Sequence, residues 1–408
     1  MYKTKWNHYN DSLFYILLFF GLFDTARNYT LLPDWIGYLK DIAIFLLYIL
    51  NLKKIKFLPQ KIIYLQCIFW LVWGLTGIVY SGGYSPIRII IGIIKYLEFF
   101  MLITLFSNWA NLFSMDIDQA LSKYIKGSMC IFIINVIGYF IPNPICYVGL
   151  SNGNVRAGLY GGRISVGQPA IAALPMLFSC VYLMFCEKNN FIRILYLIAG
   201  IVLSTTNTGM VALGICGVIY VVYAVYSRKK VNKKYLIGLI IILGLLFVFR
   251  KQLYLIFQEQ IKMYERKIIK ILQGGKDASL EKRKEHWEYA VNTLQTVTQW
   301  IFGRGMYGFC ADGEFHLIEN TYISLLCTYG ILGLGIFLVY LVGIGCRYIK
   351  GFLENNSELY LFGICLILIY LLHMYTHDNL TVYTMTFAFS FFYALINKRI
   401  EDSYSEKL

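Results

Sequence analysis

Apolar residues run along this chain in blocks of about twenty, the length a helix needs to cross a hydrocarbon core about 30 Å thick. Clusters of Lys, Asn, Gly and Pro separate the blocks. The pattern predicts helices at 12–32, 35–52, 62–80, 86–107, 124–142, 168–187, 191–205, 208–227, 235–250, 319–346, 358–375 and 379–397. The expected fold is all-α: a polytopic integral membrane helix bundle with about twelve transmembrane helices. The first block has no small-residue cleavage site and runs directly into Asp24 and Arg27, so it reads as a retained helix. One interruption is far longer than the rest. The expected organisation is therefore helices one to nine over 1–250 with an external loop at about 143–167, a large external loop over 251–318, and the last three helices with a tail over 319–408.

The long loop has its own pattern. Over 252–272, Leu253, Phe257, Tyr264, Ile268 and Ile271 fall near one helical face, with Gln258, Lys262, Arg266 and Lys270 opposite. That is an amphipathic helix suited to the membrane interface. Gly274-Gly275 ends it. A second helix is expected from a Ser279 cap, with Glu281 in its first turn, to about Phe302. Its apolar face is Leu280, Trp287, Val291, Leu294 and Ile301, and Arg283 lies one turn before Trp287.

Composition agrees with a membrane protein. Hydrophobic residues make up 58% of the chain and charged residues 15%, against about 45–50% and about 25% in soluble domains. A soluble enzyme, a disordered chain and a disulfide-stapled module are excluded. The net charge of +14 is not a nucleic-acid signal, because the basic residues alternate by connection. Lys53, Lys54, Lys56, Lys61; Lys123, Lys126; Arg228, Lys229, Lys230; Arg347, Lys350; Lys398 and Arg399 fall on one side, and only Arg27, Arg88, Arg156 and Arg163 on the short connections of the other. Both termini are then cytoplasmic and the long loop is outside a bacterial plasma (inner) membrane.

Chemistry concentrates after the second loop helix, in GRGMYGFCADGEFHLIEN. Gly303 to Gly308 formally matches G-x-G-x-x-G, but no strand precedes it and no βαβ unit surrounds it, so a dinucleotide site is rejected. The glycines are expected to make a tight turn of backbone exposed near a ligand. Glu319 heads the next helix, and His316 lies just before it. His373-x3-His377-Asp378 places two imidazoles on one helix face at the outer end of the eleventh helix.

These features coincide with a known pattern. Arg283-x-x-x-Trp287, Phe302-Gly303-Arg304-Gly305, Glu319-Asn320-Thr321-Tyr322 and Tyr329-Gly330-Ile331-Leu332-Gly333-Leu334 follow one another late in the chain. Leu203 to Gly209 forms a short Ser/Thr-rich junction, and Arg156 and Gly167 stand in an R-x10-G spacing. Over roughly 150–345 the sequence resembles the O-antigen ligase/polymerase superfamily, and most closely a Wzy-type O-antigen or capsular polysaccharide polymerase. Ligases of that family carry His where this chain has Glu319, and the second R-x10-G is absent, since Leu294 stands eleven after Arg283.

The resemblance implies transfer of glycan from an undecaprenyl-diphosphate carrier to the terminal sugar of another lipid-linked repeat, on the external face. It implies no cofactor and no metal. Arginine suits a diphosphate because its planar fork stays charged and binds phosphate bidentately. Arg156, Arg163, Arg283, Arg304 and Arg88 are the expected substrate-binding residues, and Glu319 and His316 the expected catalytic pair. Partners are the lipid-linked oligosaccharide and membrane lipid, with a chain-length regulator and a flippase as candidate protein partners and no nucleic acid. The alternatives are a ligase of the same superfamily and a flippase or transporter of lipid-linked oligosaccharide. The intramembrane charges Lys40, Asp41, Lys95 and Glu98 keep the last of these open.

Overall fold

In the computed structural model the described residues are 2–24, 34–56, 61–140, 155–156, 159–160, 163–164, 169–187, 190–204, 206–226, 278–310 and 318–405, with 265 and 269. In chain order the helices are α1 (Tyr2–Phe23), α2 (Leu39–Asn51), α3 (Lys61–Gly74), α4 (Gly77–Tyr80), α5 (Pro86–Ser107), α6 (Trp109–Leu112) and α7 (Ile117–Phe140). Three two-residue strands follow, β1 (Val155–Arg156), β2 (Leu159–Tyr160) and β3 (Arg163–Ile164). Then come α8 (Pro169–Ala172), α9 (Leu174–Cys186), α10 (Phe191–Leu203), α11 (Asn207–Tyr226), α12 (Ala278–Asn292), α13 (Val297–Phe302), α14 (Thr321–Asn355), α15 (Glu358–Met374) and α16 (Tyr383–Ser405).

Among the described residues most expected blocks are helical, because apolar residues with no polar alternative for their backbone close their hydrogen bonds internally, but α1 begins at Tyr2 rather than 12 and ends at Phe23, and α14 runs on to Asn355 rather than 346. Among the described residues, four helical stretches are long and apolar enough to cross a membrane: Ile63–Tyr80, Pro86–Ser107, Asn207–Tyr226 and Thr321–Asn355. The protein is an integral membrane protein. The expected span at 235–250 and the amphipathic helix at 252–272 lie outside the described residues, apart from the helical positions 265 and 269. The all-α expectation needs one amendment, since the loop at 143–167 contributes the antiparallel ladder β1–β2–β3.

The chain divides into two compact units. In the first, formed by Met1–Asp24, Pro33–Tyr124 and Ala278–Leu408, α5 packs against α16, α3 and α2, and α14 packs against α15, α13 and α3. The core is aromatic. Trp70 stacks on Tyr329 with centroids 5.2 Å apart, and Tyr370 meets Phe389 at 4.5 Å. Offset and edge contacts of this kind add to the area the rings bury. Some of the polar groups inside pair across the bundle. Asn10 and Asn51 exchange amide hydrogen bonds at 3.1 Å, and they donate further to Leu112 O and Leu47 O. Lys40, 2% exposed, donates to Gly37 O at 2.8 Å and lies 3.5 Å from both Asp24 and Asp41. Lys95 approaches Asp41 at 3.8 Å, and Glu98 is buried on the same helix. Opposite charges offset one another's desolvation there.

In the second unit, Thr25–Leu32 with Ile125–Asp277, α9 packs against α10, α11 and α8. Ser179 donates to Ser128 at 2.9 Å, and Tyr196 OH donates to Met129 O at 3.1 Å. At the α10–α11 junction the Thr206 hydroxyl accepts from Gly209 N at 3.2 Å, which lets one helix end and the next begin with almost no loop.

Candidate functional site

The expected single helix from Ser279 to Phe302 is two helices, α12 and α13. The break has a local cause. Thr296 caps α13, its hydroxyl accepting from Gln299 N while the Gln299 side chain accepts from Thr296 N, a complete capping box. Leu294 and Ala290 turn inward with Phe309, Cys310, Ile318 and Cys327 to form a small core, with Trp287 and Val291 packed on it. This core seats α12 against the start of α14.

Arg283 and Trp287 therefore project together. Arg283 Nε donates to Glu319 Oε2 at 2.5 Å, each side chain being about one quarter exposed (26% and 25%). Trp287 meets the Tyr375 ring edge-on at 5.5 Å. Glu319 immediately precedes Asn320, whose side chain caps α14 by accepting from Ile323 N at 3.1 Å and donates to Tyr375 O at 3.1 Å. Thr321 holds the α15–α16 connection, its N and Oγ1 both donating to His377 O at 3.1 and 2.9 Å.

That connection is an ordered polar turn. The expectation that both imidazoles ride one helix is corrected, since α15 ends at Met374 and His377 lies beyond it. The rings nevertheless stack, with centroids 4.5 Å apart. Asn379 Nδ2 donates to Tyr370 O at 2.9 Å, which turns its Oδ1 to His373 Nδ1 at 2.7 Å, so that nitrogen carries the proton. Burial, the neighbouring His373 and the Arg283 charge hold the His377 imidazole well below its ordinary pKa, hence neutral. Asp378 Oδ2 accepts from Tyr96 OH at 2.7 Å and from Ser324 Oγ at 3.0 Å. Burial raises the Asp378 carboxyl to about 6, with those two hydroxyl donors opposing the rise.

The glycine-rich turn does something other than expected. Its backbone is docked on protein rather than presented to a ligand. Arg304 N donates to Cys327 O at 2.9 Å, Gly305 N to Thr328 O at 2.8 Å and Met306 N to Gly74 O at 2.9 Å. The two acceptors on α14 sit just before a kink at Gly330, whose φ of +67° lies outside the helical region. The turn supplies donors where the kink disturbs the helical ladder. Gly305 also takes positive φ (+77°), and a Cβ there would meet Gly77 N at 2.1 Å.

Of the expected site residues, Arg283 and Glu319 are in direct contact. Arg304 is turned to backbone, Nη1 donating to Thr293 O at 2.8 Å and Nη2 to Tyr80 O at 3.3 Å, with its guanidinium 5.2 Å over the Tyr80 ring. Partial burial lowers its pKa. Arg88 is exposed in the first turn of α5, its guanidinium 5.8 Å over the Tyr84 ring, which meets Tyr307 edge-on at 5.5 Å. Arg156 and Arg163 lie on β1 and β3, within the second unit. His316 lies outside the described residues. The structure adds Asp378 with Tyr96 and Ser324. The His-x3-His-Asp run pointed at Asp378, but its partners sit in apolar blocks and carried no signal.

No curated protein matches the chain. Residues 192–338 match the family model described as O-antigen ligase. That stretch covers α10 to α13 and the kinked first half of α14, and so includes Arg283, the docked turn and Glu319. Over residues 192–338 the chain is thus similar to the O-antigen ligase family, which is consistent with the O-antigen ligase/polymerase superfamily.

Proposed function

We propose that the protein is a polymerase of bacterial surface polysaccharide, transferring glycan from an undecaprenyl-diphosphate carrier to the terminal sugar of another lipid-linked repeat. The reaction takes place on the external face of the bacterial inner membrane. The chain crosses that membrane about twelve times, with both termini in the cytoplasm and the 251–318 loop outside. The observation that carries this reading is the Arg283–Glu319 pair within the matched stretch, at the head of a kinked helix, with the half-buried Asp378 on the connection that packs there.

The chemistry needs cationic groups for a diphosphate leaving group and a carboxylate near the acceptor hydroxyl. Arg283 keeps guanidinium donors for the diphosphate beyond the Nε that Glu319 holds. Arg88, Arg156 and Arg163 supply further positive charge toward the diphosphate or glycan. Arg304 is held on backbone carbonyls and would act by fixing the docked turn. Glu319, at the entry to α14, and His316, three residues before it in the sequence, are the candidate groups for proton handling. A chain-length regulator and a flippase are the protein partners that fit such an enzyme. The ligase alternative rests on the family description; Glu319 in place of the ligase His favours the polymerase.

The test is a gel of surface polysaccharide from cells lacking the gene. Collapse of long chains to a single capped repeat is the expected result. Long polymer left on its lipid carrier identifies a ligase. Repeats trapped on the cytoplasmic side identify a transporter and remove the enzymatic reading.

A further inference from the structure

Two carboxylates face the head of α14, and they are held differently. Glu319 Oε2 is already taken by the Arg283 guanidinium. Asp378 meets no cation among its hydrogen-bond partners; its Oδ2 takes the Tyr96 and Ser324 hydroxyls, and its Oδ1 only the Leu380 N–H at 3.3 Å. Asp378 is partly exposed, whereas His377 beside it is 4% exposed and its Nδ1 is engaged with Thr376 Oγ1. Thr321 ties the two segments together, through His377 O and through Asn379 N at 2.8 Å. Of these two carboxylates, the one that is reachable and has no ion pair among the described residues is therefore on the last connection.

We infer that Asp378 accepts the proton of the acceptor hydroxyl, that Tyr96 and Ser324 position it, and that Glu319 is a positioning residue that orients Arg283. This rests on the glycan-transfer reading above. In the step, the acceptor oxygen bonds to the anomeric carbon as the bond from that carbon to the diphosphate oxygen breaks. The electron pair of that bond leaves with the lipid diphosphate. The hydroxyl proton passes to an Asp378 carboxylate oxygen.

The groups facing Asp378 are Tyr96 of α5, Tyr307 of the docked turn, Tyr329 of α14, Tyr370 of α15 and the adjacent His377. The phenols carry no charge near neutral pH, and His377 is held neutral. Asp378 is thus the group of this set that changes charge near pH 6. Hydroxyls donating to a carboxylate favour its ionised form, so removing one raises the pKa and moves the active range upward.

The experiment uses the full-length protein in liposomes, with the lipid-linked repeat extracted from cells lacking the gene as substrate. Chain elongation is measured against pH. The wild-type rate is expected to rise with pH and level off above about 6. Y96F and S324A are expected to move that rise upward by about one unit. D378N is expected to lose it, with a rate about 10²–10⁴-fold lower, while still binding the repeat. E319Q is expected to be slower with the rise unmoved. The inference is overturned if D378N keeps the rise, or if E319Q abolishes it. Should D378N fail to reach the membrane, Y96F and S324A decide: an unmoved rise overturns the inference. A wild-type protein that elongates nothing refutes the polymerase reading instead, so the two failures are distinguishable.

Discussion

In the proposed reaction Arg283 would join two tasks in one side chain. Its Nε is fixed by Glu319, and the remaining nitrogens of the fork stay available. Lysine would keep the charge and lose that division, because an ammonium is a point donor on a flexible stem. R283K is therefore expected to lower elongation nearly as far as R283A, by about 10². If R283K retains most of the wild-type rate, charge alone suffices and the fork is not used. Because Arg283 and Glu319 act as one unit, the double variant R283A/E319Q is expected to be little worse than R283A alone. Both residues were legible in the sequence, one turn before a tryptophan and one residue before a helix cap. Arg304 was legible as a polar residue near the site, but its use was not. The carbonyls it meets, Thr293 O and Tyr80 O, belong to backbone ends that no side-chain pattern records. Tyr96 was hidden for a different reason. It lies inside an apolar block, 282 positions from the carboxylate it serves.

At the scale of the element, α14 and the docked turn form one device. The kink at Gly330 and the turn at 303–306 are each unfavourable alone, and each supplies hydrogen-bond partners to the other. A Cβ at Gly330 would stand 2.2 Å from Ile301 O, and the position also needs positive φ. G330A is therefore expected to lower stability by at least about 1 kcal/mol from the backbone term, with the clash adding to it. In detergent this is read as a lower unfolding temperature, with faster amide exchange at Gly305. An unchanged melting curve and exchange rate would mean that the turn docks independently of the kink. Helix positions were largely legible, since twenty-residue apolar blocks leave few alternatives. The break between α12 and α13 was also available, as the Thr296-x-x-Gln299 cap. It was overridden because the apolar spacing from Leu294 to Ile301 continues through it as if one helix ran on.

For the whole molecule, the question is which face of the membrane carries the site. The contacts within the first unit sort its helix ends into two sets. In one, Lys398 and Arg399 at the end of α16 reach Asp116 at 3.3 Å and Asp118 at 2.5 Å before and in α7, and Asn108 ties the end of α5 to Lys56. In the other, Arg304 reaches Tyr80 O, and Arg283, Glu319, Tyr375 and His377 gather at the heads and tails of α12, α14 and α15. The first set holds the dense lysines and arginines of the short connections, which is the cytoplasmic signature. On the proposed orientation the second set is external, the face on which the proposed polymerase would act. This predicts the outcome of thiol labelling in intact cells with a reagent that does not cross the membrane, in a background where the ten native cysteines are replaced. K284C, on an exposed position of α12 beside Arg283, should label at once. S403C, near the end of α16, should label only after the cells are opened. The reverse pattern would place Arg283 and Asp378 in the cytoplasm. It would remove the external polymerase reading even if every side-chain contact described above were correct, because a transferase acting there would meet repeats before they had been moved across the membrane.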